Sequence, residues 1–142
     1  GEIDTSATLS VNPANTGGST LIAAVDSPEL YTVEIKRFDS LVTSVARPSL
    51  MKIDAQGYEM KILGGMGSLL DQIDVYIIEV ATFPFHPERA TFDQLHSFIR
   101  ARGICQHEIA GLIRRPLDGM PCHLDAVYVK EQSPLRSDNR WG

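Results

Sequence analysis

The chain has 142 residues, 43% apolar and 22% charged, the balance of one globular domain and not of a disordered chain. Its formal charge of −5 comes without any Lys/Arg run, which removes the electrostatic reason to expect nucleic acid or anionic lipid as a partner. No apolar run nears the roughly 20 residues of a membrane span, and the start Gly1-Glu2-Ile3-Asp4 lacks the basic and apolar segments of a signal peptide, so no membrane partner is expected and the cytoplasm is the expected location.

In chain order, residues 7–11 form a short β-type run, ended by the turn-forming stretch Asn12-Pro13-Ala14-Asn15-Thr16-Gly17-Gly18-Ser19. Tyr31-Thr32-Val33-Glu34-Ile35 alternates as a second strand. Residues 38–45, with Leu41, Val42 and Val45 on one side, read as a short amphipathic helix, and Pro48 breaks the chain after it. Leu50-Met51-Lys52-Ile53-Asp54 is an apolar run ending in a carboxylate. Ala55-Gln56-Gly57 then leads into a helical pattern of Met60, Ile62, Leu63, Met66, Leu69 and Leu70. Asp74-Val75-Tyr76-Ile77-Ile78-Glu79-Val80 is nearly unbroken in β-branched and aromatic residues, as for a strand covered on both faces by helices. Residues 50–80 therefore read as a right-handed β-α-β crossover.

Phe92, Leu95, Phe98 and Ile99 give a helix face over residues 92–102, and Gly103 stands at its stop. Residues 104–109 and 126–129 are β-type, and Pro116, Asp118-Gly119 and Pro121 between them predict a long-looped antiparallel hairpin. Residues 1–130 are expected to form one α/β domain, and the polar residues 131–142 a frayed tail. Cys105 and Cys122 lack metal-ligand spacing and read as idle thiols, and no metal site is expected.

Ligands of open α/β sheets bind beyond the carboxyl ends of the strands. Asp54 and Glu79 stand at such ends, where a carboxyl group can accept hydrogen bonds, hold a cation or take a proton; Gly57 permits a close turn, and Glu59 lies in the first helical turn. The same residue types also suit a structural reading, with Asp54 capping the helix and Glu59 complementing its dipole. Gly17-Gly18 follows too short a strand to serve as a cofactor turn and reads as a structural loop. Gly64-Gly65-Met66-Gly67 lacks the Lys-Ser/Thr of a phosphate loop and reads as close packing of a helix on the sheet. His86, in Phe83-Pro84-Phe85-His86-Pro87, comes after the Glu79 strand on the same loop face and is a candidate base, with an ordinary loop histidine as the other reading; Phe83 and Phe85 either wall a pocket or pack beneath the loop. His96, His107 and His123 read as structural or solvent-facing.

Leu50-Met51-Lys52-Ile53-Asp54-Ala55-Gln56-Gly57-Tyr58-Glu59, with Ile62-Leu63-Gly64-Gly65 and Ile77-Ile78-Glu79-Val80 after it, resembles the signature of the FkbM-type S-adenosylmethionine-dependent methyltransferases. Residues 33–41 are similar to the family's segment ahead of that motif, Asp118-Gly119 and Asp125-Ala126-Val127-Tyr128-Val129 to its closing hairpin, and Ser133-Pro134-Leu135-Arg136 to a family ending. The resemblance implies a three-layer, Rossmann-like methyltransferase sheet, mainly parallel, with the strands of Leu50 and Val75 side by side and that of Ala126 antiparallel to its neighbours. It implies S-adenosylmethionine as cofactor, bordered by Asp54, Gln56, Gly57 and Glu59, a small-molecule hydroxyl acceptor, and Asp54, Glu79 and His86 as catalytic candidates. Gln56 departs from the Glu frequent at its place in the family.

The family's first strand, glycine-rich turn and ribose-binding acid have no counterpart ahead of these segments. The resemblance therefore implies a carboxy-terminal portion, expected to be inactive alone. A non-catalytic binding or assembly module derived from the same fold is the alternative. The open edge of the Leu50 strand invites cover by the amino-terminal β runs or pairing with a second chain, and a homodimer through that edge is expected.

Overall fold

The computed structural model describes residues 1–11, 19–21, 29–138, 140 and 141. The Gly17-Gly18 pair lies outside these described residues. Strands β1 (Thr5–Val11) and β2 (Glu29–Ile35) pair antiparallel as a two-stranded ribbon, with Ala7 opposite Val33 and Thr5 opposite Ile35. Helix α1 (Phe38–Leu41) is a single turn, not the helix to residue 45 that the apolar spacing predicts. Val42 is already extended, and beyond it Val45 N–H donates to the Gln72 side chain at 3.0 Å.

The main sheet contains β3 (Leu50–Ile53), β4 (Val75–Ala81), β5 (Ile104–Arg114) and β6 (Pro121–Lys130), in the spatial order β3-β4-β6-β5. β3 and β4 pair parallel, with Ile53 beside Ile78, and β6 runs antiparallel to both β4 and β5. Three of the four strands thus point one way, and only β6 opposes them. The strand–helix–strand order and the antiparallel hairpin stand as the sequence predicts, but the hairpin strands run past their apolar stretches to Arg114 and Pro121, so a short turn, closed by Arg115 N–H on the Met120 carbonyl, replaces the long loop expected.

Helices α2 (Glu59–Gly64) and α3 (Phe92–Arg100) bring Leu63, Leu95 and Ile99 onto Ile53, Tyr76, Ile78, Val80, Ala126 and Tyr128, in one buried core. The alternate residues of β4, Val75, Ile77 and Glu79, are only half-buried. Among the described residues, helices therefore cover one face of β4, not the two that its apolar run predicts. The period-2 alternation of a strand sends the core residues to the helix side and Glu79 to the other. Among the described residues, no helix is long and apolar enough to cross a membrane.

The single helix expected over residues 60–70 is broken. α2 ends at Gly64, Gly67 takes φ +53°, and a 3-10 helix spans Gly67–Gln72. A Cβ on Gly65 would stand 1.8 Å from the Gly1 carbonyl oxygen, and one on Gly67 would stand 2.5 Å from an Asp39 carboxyl oxygen. These glycines receive the amino-terminal residue and α1, and not the sheet, as their close-packing reading would have it. α3 is a more regular helix: Thr91 N–H donates to the Gln94 side chain at 2.9 Å at its start, and Gly103, at φ +70°, stands just past its end. The tail is not wholly frayed, because Pro134–Arg136 forms a 3-10 turn and Arg136 donates to the Gln106 carbonyl at 3.2 Å.

Candidate active site

The turn between β3 and α2 is built by Glu59. Its Oε1 accepts the backbone N–H groups of both Ala55 and Gly57, each at 3.0 Å, and the residue is 5% exposed. The carboxyl group belongs to the turn, with its working oxygen directed back along the chain. Asp54 does not cap α2, whose N-cap is Tyr58, with no side-chain capping hydrogen bond. Held this way, the turn carries Gln56 at φ +50° and Gly57 at φ +102°, a left-handed region that costs a non-glycine residue energy and is kept where surrounding contacts over-determine it. The Gln56 carbonyl also accepts the Thr20 hydroxyl at 3.1 Å, which ties the turn to the amino-terminal segment.

The Gln56 amide nitrogen donates to Asp54 Oδ1 and to Glu79 Oε2, 3.1 Å from each. Burial pushes Glu79 up to about 7, helped by its hydrogen bond with Asp54 and by the charges of Asp54 and Asp125, while that hydrogen bond holds Asp54 below the ordinary carboxylate range. Below about pH 7 the pair therefore carries one proton, on Glu79, while Asp54 keeps the negative charge. Lys52 lies beside them, its Nζ 3.5 Å from Asp54 Oδ2 and 3.7 Å from Asp125 Oδ1. Asp125 is the register partner of Glu79 across β4 and β6.

Gln56 lies between two concavities. On the β4 side is a narrow pocket of about 10 Å³, room for about one water-sized group, lined by Gln56, Gly57, Glu59, Glu79, Arg89 and His123, among others. On the other side is a broader groove of about 450 Å³, lined by Leu9, Thr20, Leu21, Asp54, Ala55 and Gln56, among others. The loop after β4 returns to bridge Thr91 to Ala81, which brings Arg89 over the end of the strand. His123 faces Ala81 in the β4–β6 register and stacks on Phe85, centroids 5.5 Å apart. Burial, with the Arg89 charge second, lowers its pKa and keeps the ring neutral at neutral pH. Among the described residues, no cluster of three or more His, Cys, Asp and Glu side chains has the arrangement of a metal site.

The structure thus brings Asp54, Gln56, Gly57, Glu59 and Glu79 together. His86 stands apart: it does not line the pocket, and its Nδ1 accepts the Glu88 N–H at 3.2 Å. Phe83 and Phe85 contact one another at 6.0 Å, with Phe85 packed on the pocket's histidine. Sequence reasoning gives Arg89 no role and reads His123 as structural or solvent-facing, whereas both line the pocket. His123 is within its reach, because Val127, Asp125 and His123 alternate on one strand face, but the polar residues hide the strand's true length. Arg89, in a loop with no periodicity, carries no such signal.

The family model of the methyltransferase FkbM domain matches residues 3–104. The chain belongs to the FkbM methyltransferase domain family. The match runs from the β1–β2 ribbon through α3 and contains Asp54, Gln56, Gly57, Glu59, Glu79 and Arg89 of this FkbM domain, while Asp125 and His123 lie beyond it. No curated protein and no solved structure matches the chain.

Proposed function

We propose that the chain carries the acceptor side of a methyltransferase site that transfers a methyl group from S-adenosylmethionine to a hydroxyl oxygen, with Glu79 as the group that takes the proton. The observation that supports this most is the bridged pair Asp54 and Glu79, one carboxyl group held ionised and the other with a pKa of about 7. A base with a pKa near the working pH combines a usable ionised fraction with proton affinity, and groups so tuned cluster at functional sites.

The donor set suits the cofactor. Asp54 offers negative charge to a sulfonium or ammonium group, and the groove beside it mixes that carboxylate with the apolar Leu9, Leu21 and Ala55 at a size ordinary for ligand sites. Asp54, Gln56 and Ala55 are the residues that would hold the cofactor. When bound, S-adenosylmethionine supplies an electrophilic methyl group. Gln56 then serves as a shared wall, its amide orienting Asp54 on the groove side and Glu79 on the pocket side. An acceptor hydroxyl seated by Glu79 gives up its proton to that carboxylate as its oxygen becomes nucleophilic. Neutral His123 and half-buried surroundings limit competing charge. Much of the rate gain would come from holding the oxygen in line, as with any bound pair of reactants.

The test is methyl transfer from methyl-labelled S-adenosylmethionine by the intact natural protein, offered hydroxyl, amine and thiol acceptors. The expected product carries the label on oxygen, and Glu79→Gln lowers the rate about 100-fold or more with cofactor affinity kept. Transfer to nitrogen or sulfur alone, or a Glu79→Gln rate equal to the wild type, would overturn the proposal.

We also propose a homodimer that pairs the outer edge of β3 with its copy. β3 has no strand partner on that edge among the described residues, since β1 and β2 pair with each other, and Leu50 is 61% exposed there. A cytoplasmic location and a carboxy-terminal boundary of the domain near residue 130 go with the same reading.

A further inference from the structure

Arg89 Nε is buried and has no hydrogen-bond partner among the described residues. Every other arginine among them pairs with a carboxylate or donates to a backbone carbonyl. A guanidinium nitrogen taken out of bulk water without a new partner costs free energy, and a folded protein rarely leaves one so. The pocket that Arg89 lines has a volume of about 10 Å³, close to what one water needs and too small for a ligand. Its wall is polar: Glu59 and Glu79 supply carboxyl groups, His123 an imidazole ring, and Arg89 its one guanidinium. Glu59 is committed to the turn through two N–H groups, whereas Glu79 has a single described N–H donor, the Gln56 amide, on Oε2.

We propose that Arg89 is a positioning residue for Glu79 and acts through one ordered water, which accepts the Arg89 Nε–H and donates to the Glu79 carboxyl group. The inference rests on reading Glu79 as the proton acceptor of the methyl-transfer reaction. A water with two or more polar partners in so small a space is held as part of the structure and bridges nearly as well as a direct hydrogen bond. The bridge gives Glu79 a second fixed donor beside Gln56 and puts a permanent positive charge one water away. The charged and titratable groups that face Glu79 are Asp54 and Lys52 from the β3 side, Glu59 from the start of α2, Asp125 and His123 from β6, and Arg89 from the loop after β4. Acids dominate that set, so the Arg89 charge and the water's hydrogen bond both favour the ionised carboxylate that is ready to take a proton.

The experiment is NMR on this chain, as wild type and as Arg89→Met, which has a long side chain with neither charge nor donor. In the wild type the Arg89 Nε–H is expected to show a rotating-frame cross peak to a long-lived water, with the sign of a dipolar contact and not of exchange. In Arg89→Met the midpoint of the Glu79 carboxyl carbon is expected about one pH unit higher, a tenfold gain in proton affinity, with that of Asp74 unmoved. Amide spectra of the core around Leu95 and Ile99 report whether the variant keeps its fold, and the wild-type water contact tests the bridge without the variant. No bound water at the Nε–H, a Glu79 midpoint that stays or falls in folded Arg89→Met, or a shift confined to Glu59 would overturn the bridge. These spectra read no methyl transfer. An active O-methyltransferase without the bound water refutes the bridge alone, whereas a bridge found in a protein that methylates no hydroxyl refutes the proposed reaction and leaves Arg89 holding Glu79.

Discussion

Asp54, just past the end of β3, and Glu79, on the neighbouring parallel β4, share one donor: the Gln56 amide nitrogen stands 3.1 Å from a carboxyl oxygen of each. The arrangement depends on a turn that sends Gln56 into the left-handed region and on Glu59 to hold it there. Its consequences are chemical at Glu79 and mechanical at Glu59.

Methyl transfer should rise with pH through an apparent pKa near 7, since Glu79 must be ionised to accept a proton. Stability should move the other way. The folded-state pKa of Glu79 lies above its ordinary 4.5, so the folded chain binds more protons than the unfolded one between those values. The contribution of this group to folding is full below about 4.5 and is lost as pH rises through about 7. Urea unfolding of the wild type and Glu79→Gln across that window checks it: the difference between the two midpoints should grow with pH in favour of the variant.

Glu59 accepts both turn N–H groups on a single oxygen, which separates two substitutions. Glu59→Gln retains a carbonyl oxygen there and should cost less than about 1 kcal/mol, with most activity kept. Glu59→Ala leaves both donors without an acceptor and should cost about 2–3 kcal/mol. Equal losses of stability in the two variants would contradict the bracing role of this carboxyl group.

Asp74 joins the segment ahead of β3 to the start of β4. Arg47, first, and then the Ser49 backbone N–H and hydroxyl hold its pKa down at about 2. Its stabilising effect is present above the ordinary carboxylate range and disappears as pH falls through about 2. Carboxyl-carbon NMR should show that low midpoint in the wild type and a clear upward move in Arg47→Gln. A midpoint unchanged by the substitution would remove Arg47 as the main cause.

Sedimentation equilibrium should give the mass of a dimer. Leu50→Lys, which puts two like charges near one another at a β3–β3 junction, should weaken it about tenfold, in keeping with the use of lysine to block edge pairing. A monomer at high concentration, or a dimer indifferent to the substitution, would exclude the β3 edge as the contact.

The strand, turn, helix and strand around Asp54 and Glu79 are legible in the sequence. Their periodicities are local, and their residues lie within a signature that the FkbM domain match contains. So is the closing hairpin, from its β-type runs and turn residues. The break after Gly64 is not legible, because the apolar spacing runs on through Met66, Leu69 and Leu70. Only contacts with Gly1 and Asp39, distant in the chain, show why the glycines interrupt it. Glu59 reads in sequence as a charge beside a helix dipole, and only its burial and hydrogen bonds make it the brace of the turn.

The sequence by itself determined the family, the β-α-β unit and the acids at its end, because patterning and signature are properties of neighbouring residues. Tertiary structure alone decided that Glu79 shares a pocket with Arg89 and His123, that Gln56 joins the two acids, and that His86 lies outside the pocket. These relations arise where a loop folds back over β4 and where β6 pairs with it in one register, and no local pattern in the chain encodes such long-range contacts.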